Sequence, residues 1–496
     1  MGIIQRQAFW STIITYAGVL IGFVNVAFLF TAYLNPNEMG LRGVLFHFCV
    51  LFHQIGVFGF SSVATRYFPK FEDEKNKHNG FLSLILCFPF IFFCISSISL
   101  VCFQDVILAE YQENSKLFVE YFYLVYPIAF SMLIMQVFES YAGVHLKTVF
   151  PTFVKEVVLK GGATIVILLY AFSGISSALF WELYAGTYVL GAACIVVYAT
   201  TFDSFSLAFN WSYYKKIGLK GLFTFAGFMV VNSFASLLVL RIDLLMISSI
   251  KGEFFAGVYV IGIFMSTVIE IPRKSIAKIS TPLISSAWNR MDLDSIQDIY
   301  KKASGVQFIS GIVMFLLIVL NLSDFYELIP KGEIYSQSFL VVVILGLTKL
   351  IDMVFSLNGE IIGYSKYYKF NLLSVLVLAV LAIVSNYYLI DLYGIEGAAL
   401  ASFGSILIFN LLKFTFIKVK FGLQPFTWRT LVIACLGVCV YFAGVYMPTF
   451  DHPVVSAIVR TALIIVLFAT PVYFLKLSPD FNKMADTVTS KIKKLV

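Results

Sequence analysis

Seven of the charged residues that lie inside or at the ends of long apolar stretches of the sequence are candidates for binding a ligand or an ion. They are Arg241, Asp243, Glu270, Arg273, Lys274, Lys349 and Asp352. A charged side chain at the centre of a bilayer costs ~2.5–3.5 kcal/mol on insertion scales, so such residues usually face a water-filled cavity or a partner of opposite charge. Cations in this position can bind an anionic group, and carboxylates can neutralise those cations or bind a coupling ion.

Lys349 lies deepest in its apolar stretch, which begins near residue 337. At 1.5 Å per helical residue it is ~18 Å from the outer end of that stretch, too far for easy snorkelling. Asp352 follows three residues later and shares its helical face. Two interpretations remain open. The two residues form a structural pair that neutralises itself, or Lys349 binds an anionic head group and Asp352 is its resting partner.

Arg241 and Asp243 are two residues apart, so they point ~200° from each other on a helix and are not expected to pair. Arg241 either snorkels to the outer interface or binds a pyrophosphate, for which its planar guanidinium is suited. Asp243 is either a helix-capping or interfacial residue, or an ion-coupling carboxylate.

A third group combines a proline with a basic helical face. Glu270, Lys274 and Lys278 follow one another at spacings of four, and Arg273 lies beside them. Pro272 predicts a kink or a break in this helix. The basic strip suits an anionic ligand at the inner mouth of a pathway, and it equally suits anchoring to anionic lipid.

The composition shows what must position these residues. Of 496 residues, 60% are hydrophobic and 13% charged, which excludes a water-soluble fold. Because a membrane-spanning helix needs ~20 apolar residues, the sequence predicts an all-α membrane protein of about fourteen helices. The predicted helices cover residues 9–34, 41–65, 81–103, 118–144, 153–173, 178–200, 222–247, 254–284, 303–320, 337–360, 370–390, 396–416, 429–447 and 454–475.

The loops between these helices predict the orientation. Of the 35 Lys and Arg residues, 28 fall in one set of alternate loops and 5 in the other, the pattern of a positive-inside membrane protein. Both termini are therefore expected in the cytoplasm. The smaller set is Arg42, Lys116, Lys251, Lys331 and Arg460. No nucleotide-binding motif, metal-ligand pattern or catalytic set stands out, so we expect no enzyme activity, cofactor or metal, and no nucleic-acid partner.

Short patterns recur at an offset of 213–220 residues. Glu38 to Gly40 resembles Glu253 to Gly257, and residues 174–179 resemble residues 394–400. An offset of six helices predicts a parallel repeat of two six-helix lobes with a cleft between them. The predicted division is residues 1–215 and 216–425 for the lobes, and 426–496 for two extra helices and a short cytoplasmic tail.

Two segments resemble the polysaccharide transporter family of the multidrug/oligosaccharidyl-lipid/polysaccharide exporter superfamily. They are LRIDLLMI at 240–247, with AGVY at 256–259, and YGIEGAALA at 393–401. The resemblance implies a V-shaped pair of six-helix bundles that works by alternating access. It also implies a flippase in the inner membrane that moves a polyprenyl-pyrophosphate-linked oligosaccharide for O-antigen, lipopolysaccharide or capsule synthesis.

This interpretation assigns roles to the seven residues and predicts the partners. Arg241, Lys349, Arg273 and Lys274 are expected to bind substrate, and Asp243, Asp352 and Glu270 to bind an ion or neutralise the cations. Membrane lipids and the lipid-linked oligosaccharide are the expected partners, with functional association to a polysaccharide polymerase and glycosyltransferases. The alternative is an ion-coupled exporter of drugs or small molecules from the same superfamily, whose cleft would favour carboxylates over basic residues.

Overall fold

The computed structural model describes residues 3–202, 205–447, 452–479, 481, 482 and 486, which contain helices and no strands. The main helices are α1 (Ile3–Val24), α2 (Pro36–Val57), α3 (Phe60–Phe71), α4 (Phe81–Cys102), α5 (Val125–Val144), α6 (Leu159–Ser173), α7 (Ser177–Thr200), α8 (Leu219–Ile250), α9 (Glu253–Ile269), α10 (Ile271–Asn289), α11 (Leu293–Leu320), α12 (Phe339–Phe355), α13 (Asn358–Tyr364), α14 (Tyr368–Phe421), α15 (Trp428–Val445) and α16 (Pro453–Phe474). Shorter helical pieces are Phe30–Tyr33, Lys77–Gly80, Gln104–Ala109, Lys116–Glu120, Phe122–Leu124, Val149–Phe153, Trp211–Ile217, Leu322–Leu328, Gly332–Tyr335 and Ser336–Ser338, and two π-helical turns cover Asn25–Leu29 and Val154–Val158.

The helices confirm the all-α membrane fold class. Twelve helical segments of the described chain are long and apolar enough to cross a membrane, and α9 with α10 forms a thirteenth, bent span. The 54 residues of α14 would extend ~81 Å, far beyond a hydrocarbon core of ~30 Å. Gly394 interrupts this helix with φ 61° and ψ −135°, so α14 supplies two spans. With the second span of α14, the described chain contains fourteen candidate spans, in agreement with the predicted number of about fourteen.

The break that Pro272 predicts is present. Helix α9 ends at Ile269, α10 begins at Ile271, and their axes differ by 45°. Proline is well tolerated in the first turn of a helix because its missing N–H would have no helical partner there. Glu270 lies at the corner between the two helices.

Two glycines that the predicted repeat makes equivalent both have a positive φ, but their ψ angles, 27° and −135°, differ. Gly174, after α6, has φ 63°, and Gly394, within α14, has φ 61°. Glycine adopts a positive φ without the steric cost that a Cβ would add. In the first copy Ser176 then caps α7, because its hydroxyl accepts a hydrogen bond from the Leu179 N–H at 3.3 Å.

By internal packing the chain forms two compact units, Met1–Gly257 and Val258–Val496. The predicted boundary at 215/216 follows the repeat, whereas the first compact unit also includes α8. The reason is that α8 packs against α2 of that unit, where Arg241 contacts His47. The two extra helices predicted after residue 425 are α15 and α16. Residues 487–496 of the predicted cytoplasmic tail lie outside the described residues.

In the first unit, the start of α9 and the start of α2 approach at backbone distance. A Cβ on Gly40 would overlap the carbonyl oxygen of Glu253, and a Cβ on Gly257 would overlap that of Pro36. The Glu253 carboxylate also accepts a hydrogen bond from the Phe118 N–H at 2.5 Å. These contacts fix the position of residues 253–257 on the rest of the unit.

Candidate functional site

Four of the seven predicted residues meet in the second unit, at the corner between α9 and α10. Lys349 Nζ on α12 lies 2.9 Å from Glu270 Oε2. Arg273 Nε lies 3.1 Å from Asp352 Oδ2, within ion-pair distance but not aligned for a hydrogen bond, and its Nη1 lies 3.5 Å from Glu270 Oε1. Two cations and two carboxylates therefore form one connected, largely buried cluster.

The partner predicted for Lys349 is wrong. Its partner is Glu270, and Asp352 instead contacts Arg273 and accepts a hydrogen bond from Asn410 Nδ2 at 3.2 Å. The break at Glu270 places that carboxylate where it contacts α12, a relation between two helices that spacing along one helix does not contain. Lys274, also predicted to bind substrate, is exposed and is not part of the cluster.

A cavity of about 400 Å³ lies beside this cluster in the second unit, and Arg273 and Asp352 are in its wall. Lys413 also lines the cavity, is only 5% exposed, and lies 4.0 Å from the centre of the Phe409 ring. From the sequence, Lys413 counts as a cation of an inner loop. The structure places it inside α14, so it is a site residue that the sequence analysis missed.

Arg241 and Asp243 lie in the first unit, on α8. Arg241 Nη1 lies 2.9 Å from His47 Nε2. Because a guanidinium can only donate, His47 Nε2 is the acceptor and the ring is neutral with its proton on Nδ1. Asp243 is buried on the same helix, and one of its carboxylate oxygens accepts the Leu244 N–H at 2.8 Å.

Arg42 is a second cation of the first unit that forms no salt bridge among the described residues. Its guanidinium lies 4.8 Å from the centre of the Phe30 ring, and its buried Nε has no hydrogen-bond partner. The Nε of Arg241 is buried without a partner as well. Among the described residues, neither guanidinium forms a salt bridge.

A cavity of about 590 Å³ in the first unit has Arg42 in its wall. Its other ionic groups are paired within that unit, since Lys160 Nζ lies 2.6 Å from Glu156 Oε2 and Lys155 Nζ lies 2.7 Å from Glu139 Oε2. Residues of both π-helical turns line this cavity. Such turns are frequent at functional sites because they displace side chains from the regular helical position.

The second unit also contains an apolar groove of about 680 Å³. Helices α11, α12 and α15 supply most of its walls, with side chains such as Phe315, Leu347 and Tyr441. Within the part of the chain that the structure describes, no group of three or more His, Cys, Asp or Glu side chains is arranged to hold a metal ion.

The Lys349–Glu270 pair gives a stability prediction. Lys349→Met and Glu270→Gln are each expected to cost about 2 kcal/mol, because each leaves a largely buried charge short of its partner. Arg273 still compensates the Glu270 carboxylate in the first variant, and residual water compensates the Lys349 ammonium in part in the second. The double variant is expected to cost less than either single one. Thermal unfolding of the purified protein measures all three. Additive losses would show that the two residues do not interact.

The fold is shared with solved transporters. Lipid II flippase MurJ in an inward closed conformation superposes with a TM-score of 0.73 at 14% identity, over 93% of this chain and 98% of that chain. An inward-facing multidrug resistance MATE family transporter of the MOP superfamily gives 0.62 at 13% identity, over 82% and 94%. A MOP superfamily transporter from Pyrococcus furiosus, described as having a binding pocket of reverse polarity, gives 0.60 at 11% identity, over 85% and 95%.

These likenesses establish the fold class, that of the multi-pass helical proteins represented by MurJ and the MATE transporters. No family model matches the sequence, and no curated protein matches it either.

Proposed function

We propose that this protein is a membrane transporter that flips a polyprenyl-pyrophosphate-linked oligosaccharide across the inner membrane by alternating access, for lipopolysaccharide, O-antigen or capsule synthesis. The observation that carries the proposal is the pair of guanidinium groups of Arg42 and Arg241. Both lie in helices of the first unit, and neither forms a salt bridge with a described carboxylate, so the buried Asp243 acts on Arg241 only at longer range. Guanidinium binds phosphate oxygens in bidentate geometry, so the two groups suit a diphosphate.

The environment of the two arginines strengthens their attraction for an anion. Arg241 contacts the buried, neutral imidazole of His47, which adds no negative charge. Each guanidinium also lies near an aromatic ring, Phe30 for Arg42 and Phe46 for Arg241. Because water is largely excluded there, a diphosphate would interact with these cations more strongly than at an exposed surface.

An apolar groove supports a lipid-linked cargo. A polyprenyl chain needs a continuous hydrocarbon surface, and the groove formed by α11, α12 and α15 is lined almost wholly by apolar side chains. A soluble anionic substrate would need no such surface. MurJ, which shares the fold, is a lipid II flippase, and this supports a lipid-linked substrate for the present chain. Membrane lipids, a polymerase and glycosyltransferases are the proposed partners, and both termini are proposed to be cytoplasmic.

The alternative is an ion-coupled multidrug or small-molecule exporter, which the MATE likeness favours. A cationic drug would need a carboxylate free to receive it. In the first-unit cavity the carboxylate of Glu156 lies 2.6 Å from Lys160, while Arg42 is left unneutralised. The charge of the cavity therefore favours an anionic cargo over a cationic one.

Flipping by the purified protein tests the proposal. Arg42→Ala and Arg241→Ala are each expected to slow the flipping of a fluorescent polyprenyl-pyrophosphate oligosaccharide in proteoliposomes by about tenfold or more, since each removes charge-assisted hydrogen bonds. The Arg→Lys variants should recover part of the rate.

Arg290→Ala, which removes an exposed arginine at the end of α10, is the matched control and should flip at the wild-type rate. Wild-type flipping by both alanine variants at equal protein content would contradict the assigned site. Absence of flipping by the wild type, together with export of a cationic dye, would favour the alternative.

A further inference from the structure

Several polar side chains in the wall of the first-unit cavity already bond to the protein. His53 Nε2 lies 2.9 Å from Gln136 Oε1, and Gln136 Nε2 donates to Ser61 Oγ at 3.1 Å. Asn25 Nδ2 donates to the carbonyl oxygen of Lys160 at 2.8 Å. These groups hold the surrounding helices together, and their hydrogen bonds do not depend on a ligand.

Gln54 of α2 is different. It lines the same cavity and is only 6% exposed, yet its side-chain amide forms no hydrogen bond with any described residue. The amide is not sealed inside the packing, in contrast to that of Gln307 on α11, whose Nε2 and Oε1 are enclosed without a partner away from this cavity. Buried polar groups are rarely left unsatisfied, so an unpartnered amide in a cavity wall indicates a ligand.

The position of Gln54 on α2 limits the shape of that ligand. Arg42, Phe46, Val50 and Gln54 follow one another at spacings of four, and all line the cavity. At 1.5 Å per residue, Arg42 and Gln54 are ~18 Å apart along the helix. A diphosphate at Arg42 is too short to reach Gln54. A ligand that engages both residues must be elongated, with an anionic group at one end and a different group at the other.

The chemistry around Gln54 indicates what the second group is. A glutamine amide supplies donors and an acceptor without charge, which matches a sugar hydroxyl or an acetamido group. Tyr184 and Tyr188 of α7 also line the cavity, with ring centres 5.8 Å apart, and aromatic rings combined with few polar groups are typical of small-molecule sites. An ion would gain little from a neutral amide.

We propose that Gln54 is a specificity-determining residue of the first-unit cavity, whose amide binds a hydroxyl or acetamido group of a sugar while the diphosphate lies at Arg42. The inference rests on the proposed function, in that the sugar belongs to the oligosaccharide cargo. It assigns Gln54 to the glycan and not to the diphosphate, so the two parts of the cargo are bound by different residues.

Titration calorimetry with two kinds of lipid tests the assignment. The full chain in lipid nanodiscs, free of sugar-based detergents, is titrated with farnesyl pyrophosphate and with farnesyl pyrophosphate carrying four glucose or four N-acetylglucosamine units. The wild type should bind at least one glycan lipid more tightly than farnesyl pyrophosphate. Gln54→Met is expected to weaken that glycan lipid about five- to tenfold and to leave farnesyl pyrophosphate unchanged, whereas Arg42→Ala should weaken both.

Gln307→Met is the matched control, because it replaces a buried, unpartnered glutamine that does not line the cavity, and it should bind both kinds of lipid as the wild type does. Thermal unfolding checks each variant. Gln54→Asn withdraws the amide by one carbon and serves the same comparison if Gln54→Met does not fold. Three results would overturn the assignment: no gain in wild-type affinity from either glycan, wild-type affinities in the Gln54 variant, or an equal loss for farnesyl pyrophosphate.

Flipping by the same proteins in proteoliposomes distinguishes this assignment from the flippase proposal. Glycan-lipid binding that responds to Gln54→Met, without flipping of a polyprenyl-pyrophosphate oligosaccharide, would overturn the proposed function and leave the role of Gln54 standing. Flipping by the wild type, with glycan-lipid binding that ignores Gln54→Met, would overturn the role of Gln54 alone.

Discussion

Gly40→Ala is expected to destabilise the protein by about 3 kcal/mol or more, the upper end of the range for an overfilled core. The added Cβ would overlap the carbonyl oxygen of Glu253, which belongs to a backbone that no rotamer change can move. Residues 36–40 and 253–257 would have to separate, and the hydrogen bond from Phe118 to the Glu253 carboxylate would weaken. The midpoint of thermal unfolding measures the loss.

Gly186→Ala provides the control, since a Cβ at this exposed position of α7 meets no atom within 4 Å. The same substitution there should stabilise the helix by about 0.5–1 kcal/mol, because alanine loses less backbone entropy than glycine. Equal effects of the two substitutions would show that the approach of Gly40 to Glu253 is not a constraint.

Arg460→Met is expected to cost about 3–5 kcal/mol, because it leaves Asp324 charged and buried. Arg460 Nη1 lies 2.7 Å from Asp324 Oδ2 and donates to the Leu320 carbonyl at 2.6 Å. The two side chains are only 8% and 10% exposed. Protein yield and thermal unfolding measure the effect.

Two further variants distinguish the loss of stability caused by a buried unpaired charge from the loss caused by removing any one charge. The double variant Arg460→Met with Asp324→Asn should recover much of the stability, because no charge then remains without a partner. Lys302→Met removes an equally short contact, 2.6 Å to Asp298, but that pair is more than half exposed and should cost no more than about 1 kcal/mol. Similar losses for Arg460→Met and Lys302→Met would contradict the argument.

The sequence predicts well those features that a short segment determines by itself. The apolar stretches predict the spans, Pro272 predicts the break beside Glu270, and Gly394 marks the interruption of α14. Each depends on the length of an apolar stretch or on the backbone preference of one residue.

The contacts between helices were not predictable in this way. Lys349 and Glu270 are 79 positions apart in the sequence, and their meeting depends on the rotation of two helices. Arg460 and Lys413 were counted as loop cations because each lies near the end of an apolar stretch, yet both are buried within helices.

Arg42 was also counted as a loop cation, although the sequence contains a signal that places it in a helix. Asn35 and Glu38 form a capping box with hydrogen bonds of 2.9 and 2.8 Å, which starts α2 at Pro36. An asparagine followed three residues later by a glutamate is a known helix-start pattern. A helix that starts there places Arg42 inside α2 and not in the loop before it.

The close backbone contact at Gly40 has a counterpart at Gly257. Gly40 meets Glu253, and Gly257 meets Pro36, so each partner of one contact lies 217 positions from its counterpart in the other. Both contacts join the same two segments, residues 36–40 and 253–257. An added Cβ at Gly257 is therefore expected to force these segments apart as one at Gly40 does, so that two glycines protect a single seam of backbone.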